Sequence, residues 1–363
     1  MEERAYKYWF YTLEYINMEL REKLMERFQN PKEIFLMSIE GLKEIEGITP
    51  KALNNIYNSR NTYKIQKEYE KIREKEIRFI CVEDEEYPER LRKIKDNPGA
   101  LFVRGTLPEE GNKSVAIIGA RECTNYGKNI AIEIGEVLAE HNVNVISGMA
   151  RGIDGYAQKG AVDAGGKSYG VLGCGVDICY PKEHYYLYEK LIETGGIISE
   201  FKPGIPARAM NFPMRNRIIS GLSDIIIVVE AKKRSGTSIT IAHALEQGKE
   251  VMAVPGRIND TLSEGCNYLI SQGAYPINNI EEMLFDMGFS EEKNKKNSKN
   301  VNNTLASELK LVYACLDFGP KSVTQIAKEL GENNMEKLSE LLFDLEIEDR
   351  IEQITTGYYV RKK

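Results

Sequence analysis

Between residues 114 and about 287 the chain alternates short, mostly apolar runs with longer segments of mixed polarity. The apolar runs are 115–119, 143–147, 168–173, 197–199, 225–230 and 250–254, with valine and isoleucine prominent. Continuous apolar runs of this length are what strands buried on both faces show. Helical segments are read between them at 129–140, 154–163, 184–193, 218–222 and 239–247. Strands alternating with helices imply parallel pairing through right-handed crossovers, so the predicted fold is α/β with a mostly parallel sheet.

The flanks read differently. In residues 1–75, Trp9, Leu13, Ile16, Leu20, Leu24 and Phe28 recur at helical spacing until Pro31 interrupts. Residues 41–50 read as two short helices meeting at Gly47. This is either a helix-hairpin-helix, whose turn offers backbone N–H groups to a phosphate, or a plain packing turn, since Thr49 stands near the place of a second glycine. Residues 76–110 form a connector with strand character at 77–82 and 101–104, and turns at Tyr87-Pro88 and Asn97-Pro98-Gly99. Residues 288–304 are polar and Asn-rich and read as a flexible linker. Residues 305–363 read as helix, short helix, helix and hairpin, a winged-helix-like order with a turn at Gly357. Its third helix, 338–349, is acidic and apolar, which suits protein contact at least as well as DNA contact.

Composition narrows the class. A chain of 363 residues has room for more than one domain. No apolar run approaches the ~20 residues of a membrane span. The first residues mix acidic, basic and aromatic types, unlike a secretory signal. Six scattered cysteines without C-x-x-C spacing suggest reduced thiols and a cytoplasmic setting. Three distant histidines make a His-rich metal site improbable. The net charge of -6 argues against nucleic acid globally, yet residues 202–257 hold nine Lys/Arg against four Asp/Glu. A local positive stripe can bind a polyanion, with affinity that falls steeply with salt.

Five glycine-containing loops follow the apolar runs: Gly119-Ala120-Arg121, residues 147–154, residues 173–181, residues 230–237 and Pro255-Gly256-Arg257. Parallel strands would place all five on one sheet edge, where open α/β sheets bind ligands. A crest of N–H and guanidinium groups suits phosphates. Gly119 permits a tight turn and Arg121 reaches over the crest. After Ser147, Gly148 and Gly152 flank Arg151 and let the backbone approach a ligand, while Asp154 is placed to cap the next helix. Gly173 and Gly175 stand beside an apolar strand, and Asp177 reads as a turn residue without a visible catalytic partner. Tyr180 sets a ring near the crest, next to Lys182. Phe212 either stacks a base or fills the core. Arg215 and Arg217, on either side of Asn216, fan apart at a helix start, where the dipole gives them nothing and an anion is needed. Lys233, Ser235, Gly236 and Thr237 form a basic loop entering a helix and suited to one phosphate. The order is neither G-x-G-x-x-G nor G-x-x-x-x-G-K-[ST], so a nicotinamide cofactor or an ATPase site is poorly supported. No nucleophile–base pair is visible, so no catalysis and no cofactor are expected.

Taken in order, GAR, SGMARGID, GCGVDICYP, FPMRNRIISGLSD, EAKKRSGTSIT and AVPGRI resemble the DprA (Smf) DNA-processing family. The resemblance covers about 80–287 densely and fits the flanking segments. It implies an extended Rossmann-like domain at 76–287, a helical domain at 1–75 and a winged-helix-like domain at 305–363. It further implies single-stranded DNA binding, homodimerisation through the Rossmann-like domain and delivery of strands to a RecA-type recombinase in natural transformation. The family's phosphate pocket falls here on Gly119 and Arg121, with Arg151, Arg215, Arg217 and Lys233 as neighbours. Family members commonly carry serine where this chain has Ala120, which removes one hydroxyl contact. The alternative from the residues is a nucleotide-processing enzyme of the lysine-decarboxylase-like phosphoribohydrolase type, although the P-G-G-x-G-T loop and its glutamate are not matched at 235–237.

Overall fold

The computed structural model describes residues 1–288, 307–316, 319–331, 334–348 and 350–362. The expected linker, 288–304, lies outside the described residues apart from Gly288. The chain divides into two compact units, Met1–Gly288 and Phe289–Lys363.

Six helices come first: α1 (Glu3–Tyr11), α2 (Met18–Phe28), α3 (Pro31–Leu36), α4 (Ile39–Lys43), α5 (Pro50–Asn58) and α6 (Thr62–Glu74). Their starts follow from side chains that satisfy free helical N–H groups: Asn17, Asn30, Ser38, Thr49 and Asn61 each accept one. Pro31 and Pro50 sit at first helical positions, where the missing N–H costs nothing. Between α4 and α5, Gly47 takes φ +88°, and Thr49 is the cap of α5.

The sheet strands are β1 (Arg78–Cys81), β2 (Ala100–Gly105), β3 (Ser114–Ile118), β4 (Asn144–Ser147), β5 (Ser168–Val171), β6 (Gly196–Ser199), β7 (Ile225–Val228), β8 (Glu250–Ala253) and β9 (Tyr275–Pro276). They are ordered β1-β2-β6-β5-β4-β3-β7-β8-β9. From β6 to β9 every pairing is parallel, while β1 and β2 add antiparallel at one end. All six expected strands are present, and the fold is Rossmann-like α/β. The connector with strand character is the antiparallel end of this sheet, spaced by α7 (Glu89–Arg92). The crossovers are α8 (Asn125–Glu140), α9 (Ile153–Asp163), α10 (Tyr185–Thr194), α11 (Asn211–Leu222), α12 (Thr237–Glu246) and α13 (Glu264–Ser271), with α14 (Ile280–Asp286) closing the unit. β3, β4, β5, β6 and β7 are buried at every position, which is why their sequences do not alternate.

The N-terminal helices, read from sequence as a separate domain, share a core with the sheet. Tyr8 meets Phe79 and Phe102 edge-on at 5.6 and 6.3 Å, and Phe79 meets Phe102 at 5.4 Å. Arg4 ties α1 to the same region by donating to both Asp84 oxygens and to the Phe79 carbonyl.

The second unit contains α15 (Ser307–Cys315), β10 (Lys321–Ser322), α16 (Val323–Leu330), α17 (Met335–Ile347), β11 (Ile351–Thr355) and β12 (Tyr358–Arg361), in the expected order. Ser322 and Gln325 form a capping box that starts α16. Leu338, Leu342 and Leu345 bury one face of α17, leaving Phe343 and Ile347 exposed beside Glu340 and Asp344.

Phe102→Ala tests the shared core. It should destabilise the first unit by about 3–5 kcal/mol. Urea denaturation followed by Trp9 fluorescence and by far-ultraviolet circular dichroism should then show coincident transitions, both at lower midpoint.

Candidate functional site

β3 and β7 are adjacent, yet their connections leave in opposite directions, through α8 to β4 and through α12 to β8. Such a reversal opens a crevice beyond the carboxyl ends of the strands. Here it is a cleft of about 900 Å³, lined by residues of four of the five loops: Gly119–Glu122, Ala150, Tyr180, Lys232 and Ser235–Thr237 among them, while Lys233 and Arg234 do not line it. The fifth loop does not line it. Gly256 is instead tied to α13, donating to and accepting from the Asn267 amide at 3.2 and 3.0 Å.

Glu230, which follows β7, builds the first loop. Its carbonyl accepts from Ala120 N–H at 2.7 Å. Its carboxyl oxygens accept from Thr124 N–H at 2.9 Å and Thr124 Oγ1 at 2.5 Å. Thr124 in turn caps α8 through Gly127 N–H. The glycines here make room for protein. A Cβ on Gly119 would stand 2.7 Å from Ile153 Cγ1, and one on Gly127 would stand 2.4 Å from Glu230 Oε2. Gly152 has φ +72°, and a Cβ there would lie 2.2 Å from the Ala120 carbonyl.

Several expected site residues are thereby corrected. Ser147 is buried and donates to the Ile117 carbonyl at 2.6 Å, so it holds β4 to β3 and does not face the cleft. Gly148 is buried with its peptide between two charged groups: its N–H donates to Asp154 Oδ2 and its carbonyl accepts from Arg215 Nη1. Asp154 does not cap α9, whose cap position is Gly152 and has no side-chain bond. Gly148 and Gly152 admit neighbouring protein groups, not a close ligand. Gly173 and Gly175 are buried as well; a Cβ on Gly173 would meet Phe212 at 2.8 Å. Asp177 is the turn residue expected, accepting from Gly204 N–H and from Lys75.

The two arginines of α11 already have their anions. α11 starts at Asn211, so both lie inside it, not at its first turn. Arg215 is 5% exposed and faces Asp154 across Gly148. Burial pulls its pKa down to about 10, with Asp154 opposing the shift, and burial raises the Asp154 carboxyl. Arg217 makes a two-pronged pair with Glu200 at 2.6 and 2.7 Å and donates to the Asp96 and Met214 carbonyls. Asn216 lines the cleft and accepts from Arg215 Nε.

What faces solvent is a smaller set. Arg121 is exposed, with no hydrogen bond or ion pair among the described residues, and its guanidinium lies 5.4 Å from the Phe212 ring centre. On Phe212 sits Tyr180, 45% exposed, with ring centres 5.6 Å apart and planes inclined by 30°. Phe212 thus packs on Gly173 and is also half-exposed to the cleft. Lys232, Lys233, Arg234 and Gly236 are exposed on the fourth loop, and Thr237 begins α12 beneath them. Ser235 Oγ is buried without a partner among the described residues. Lys182 is exposed, and Arg151 pairs with Glu183. Sequence reasoning missed Tyr268, whose ring lies under Lys233 at 4.7 Å, and the positioning roles of Glu200 and Glu230, while Asp154 was singled out but as a helix cap. Only Glu230, placed at a strand end, left a signal.

The sheet and its switch-point cleft define a Rossmann-like protein with an aromatic and basic crest. The family model for DNA recombination-mediator protein A matches residues 78–288, and the chain belongs to that family. It is 45% identical to Protein Smf of Escherichia coli (strain K12) over 212 residues, 58% of this chain and 57% of that one. The chain therefore spans less than two thirds of that relative. It is 39% identical to DNA processing protein DprA of Streptococcus pneumoniae over 57% of this chain and 73% of the relative. The X-ray structure of DNA processing protein A from Streptococcus pneumoniae superposes with TM-score 0.69 at 31% identity, covering 79% of this chain and 99% of that one. A Helicobacter pylori DNA processing protein A, studied for its single-stranded DNA binding mode, superposes with TM-score 0.53 at 28% identity, covering 58% and 96%.

The contrast between arginines is testable by stability alone. Arg217→Ala strands the Glu200 carboxylate and should cost about 3–5 kcal/mol in urea denaturation. Arg121→Ala should leave the urea midpoint unchanged.

Proposed function

We propose that this chain binds single-stranded DNA along its crest without sequence preference. The observation that carries this reading is the Arg121–Phe212–Tyr180 row beside the exposed 232–234 bases. A guanidinium without an internal anion is available to a phosphate, and an exposed ring beside it is available to a base. Gly236 and the first N–H groups of α12 add a second phosphate position. The exposed rings of the crest make stacking the basis of single-strand selection in this reading. The family description and the single-stranded DNA binding studied in the Helicobacter pylori relative support this reading.

The finer reading is a mediator role: homodimers formed through the Rossmann-like domain carry strands to a RecA-type recombinase during DNA uptake, without catalysis. The carboxylates a nucleotide hydrolase would use are engaged structurally, Glu230 with Thr124 and Asp177 with Lys75 and Gly204. This favours the mediator over the phosphoribohydrolase alternative.

Fluorescence anisotropy with single- and double-stranded oligonucleotides at several salt concentrations tests binding. Single strands should bind more tightly, and Arg121→Glu should weaken them about tenfold or more, the scale of a lost charge-assisted contact. Equal affinity of wild type and variant would remove Arg121 from the site. The mediator role predicts that the protein shortens the lag of RecA-type filament assembly on strands precoated with single-strand binding protein. An unchanged lag would contradict it.

A further inference from the structure

A second cavity lies behind the crest, between α9 and α10. It is about 260 Å³ and is lined by Tyr156, Lys159, His184, Tyr186, Leu187 and Lys190, among others. None of these was assigned to the crest. The volume sits just below the ~300–1,000 Å³ of typical small-molecule pockets, so it suits one ring system and not a chain segment.

Its chemistry is that of a flat, apolar ring with a polar edge. Tyr156 and Tyr186 offer aromatic surface, and Tyr186 is 66% exposed. Leu187 and Val162 supply apolar lining. His184 Nδ1 donates to the Met149 carbonyl at 3.2 Å, which leaves Nε2 an acceptor in the neutral ring. A Cβ on Gly155 would lie 2.5 Å from His184 Cε1, so the imidazole is held close against α9. The charges around the pocket are balanced: Lys159 pairs with Asp163, Lys190 with Glu193, and Glu183 with Arg151. A balanced lining is no trap for phosphate, but it offers donors and acceptors to a heteroaromatic edge.

The pocket also adjoins the crest. Gly152, which lines it, abuts the Ala120 and Arg121 carbonyls of the first loop. Exposed Arg151 and Lys182 are each next in sequence to a lining residue, Gly152 and Glu183.

We infer that this pocket receives one unstacked nucleobase of a bound single strand, beyond the crest. Its backbone phosphates stay outside with Lys182. The inference rests on the reading of the crest as a single-strand path. It makes the pocket a length-sensing extension of that path, reached only by strands that already occupy the crest.

The test uses the full chain and fluorescein-labelled oligothymidylates of increasing length, with wild type, Tyr186→Ala, Lys190→Glu and Arg121→Glu. Wild-type affinity should rise in a step once the strand is long enough to reach the pocket. Tyr186→Ala and Lys190→Glu should bind the shortest strands as wild type does. They should lose about 5- to 10-fold on the longer ones, the scale of one lost base–aromatic stack. A 2-aminopurine placed successively along the strand should be quenched at one position in wild type and not in Tyr186→Ala. Equal binding of wild type and both pocket variants at every length would overturn the inference. So would equal weakening at all lengths. In either case loss of binding by Arg121→Glu would leave the crest reading standing. Absence of oligothymidylate binding by the wild type would overturn both.

Discussion

The crest depends on one buried carboxyl group. Glu230 follows β7 and reaches across to the loop that follows β3, where both its oxygens accept from Thr124. With the Ala120 N–H bonded to the Glu230 carbonyl, the first loop is fixed at both ends of its turn. Burying a carboxyl group is costly unless its oxygens are satisfied, and here the satisfying donors are the loop itself. The same contact places Thr124 over Gly127 to start α8, so loop conformation and helix register are set together. Arg121 lies between these fixed points and, apart from its contact with the Phe212 ring, has no hydrogen bond or ion pair among the described residues, which leaves it exposed to solvent.

A second constraint follows from packing. The arginines of the crest region divide into two kinds according to whether a carboxylate reaches them first. Arg215 is buried, bonded to the Gly148 carbonyl and facing Asp154, and Arg217 is paired with Glu200. Arg121, with Lys232, Lys233 and Arg234, remains exposed. Bonded cations behind and free cations in front preorganise a surface: the aromatic row on Phe212 is set before any ligand arrives. Ordering costs are then borne by folding, not by binding.

Much of this was legible in the sequence. Five of the six strands are short and buried at every position, so each reads as a mostly apolar run, and β8 departs only at its exposed first residue, Glu250. Parallel connectivity then puts the glycine loops at one edge. Arg121, Tyr180 and the 232–237 loop could be placed from that alone. Ser147 could not, because it precedes a glycine at a strand end as exposed residues do, and Arg215 could not, because nothing local shows which side of α11 is turned inward; only the fold shows both buried. Arg217 was misjudged for a similar reason: its partner Glu200 is distant from it in sequence and ends a different strand, β6. The shared core of α1 with β1 and β2 was hidden too, since aromatic residues at helical spacing do not announce what they pack against.

The central claim is that Arg121 contacts the DNA backbone and Arg217 does not. The slope of log binding constant against log salt measures it directly, using one single-stranded oligonucleotide and wild type, Arg121→Ala and Arg217→Lys. Removing one phosphate contact should reduce the slope by about 0.7. The account predicts that reduction for Arg121→Ala and an unchanged slope for Arg217→Lys, which keeps a cation beside Glu200. An unchanged slope for Arg121→Ala, or an equal loss in both variants, would contradict it.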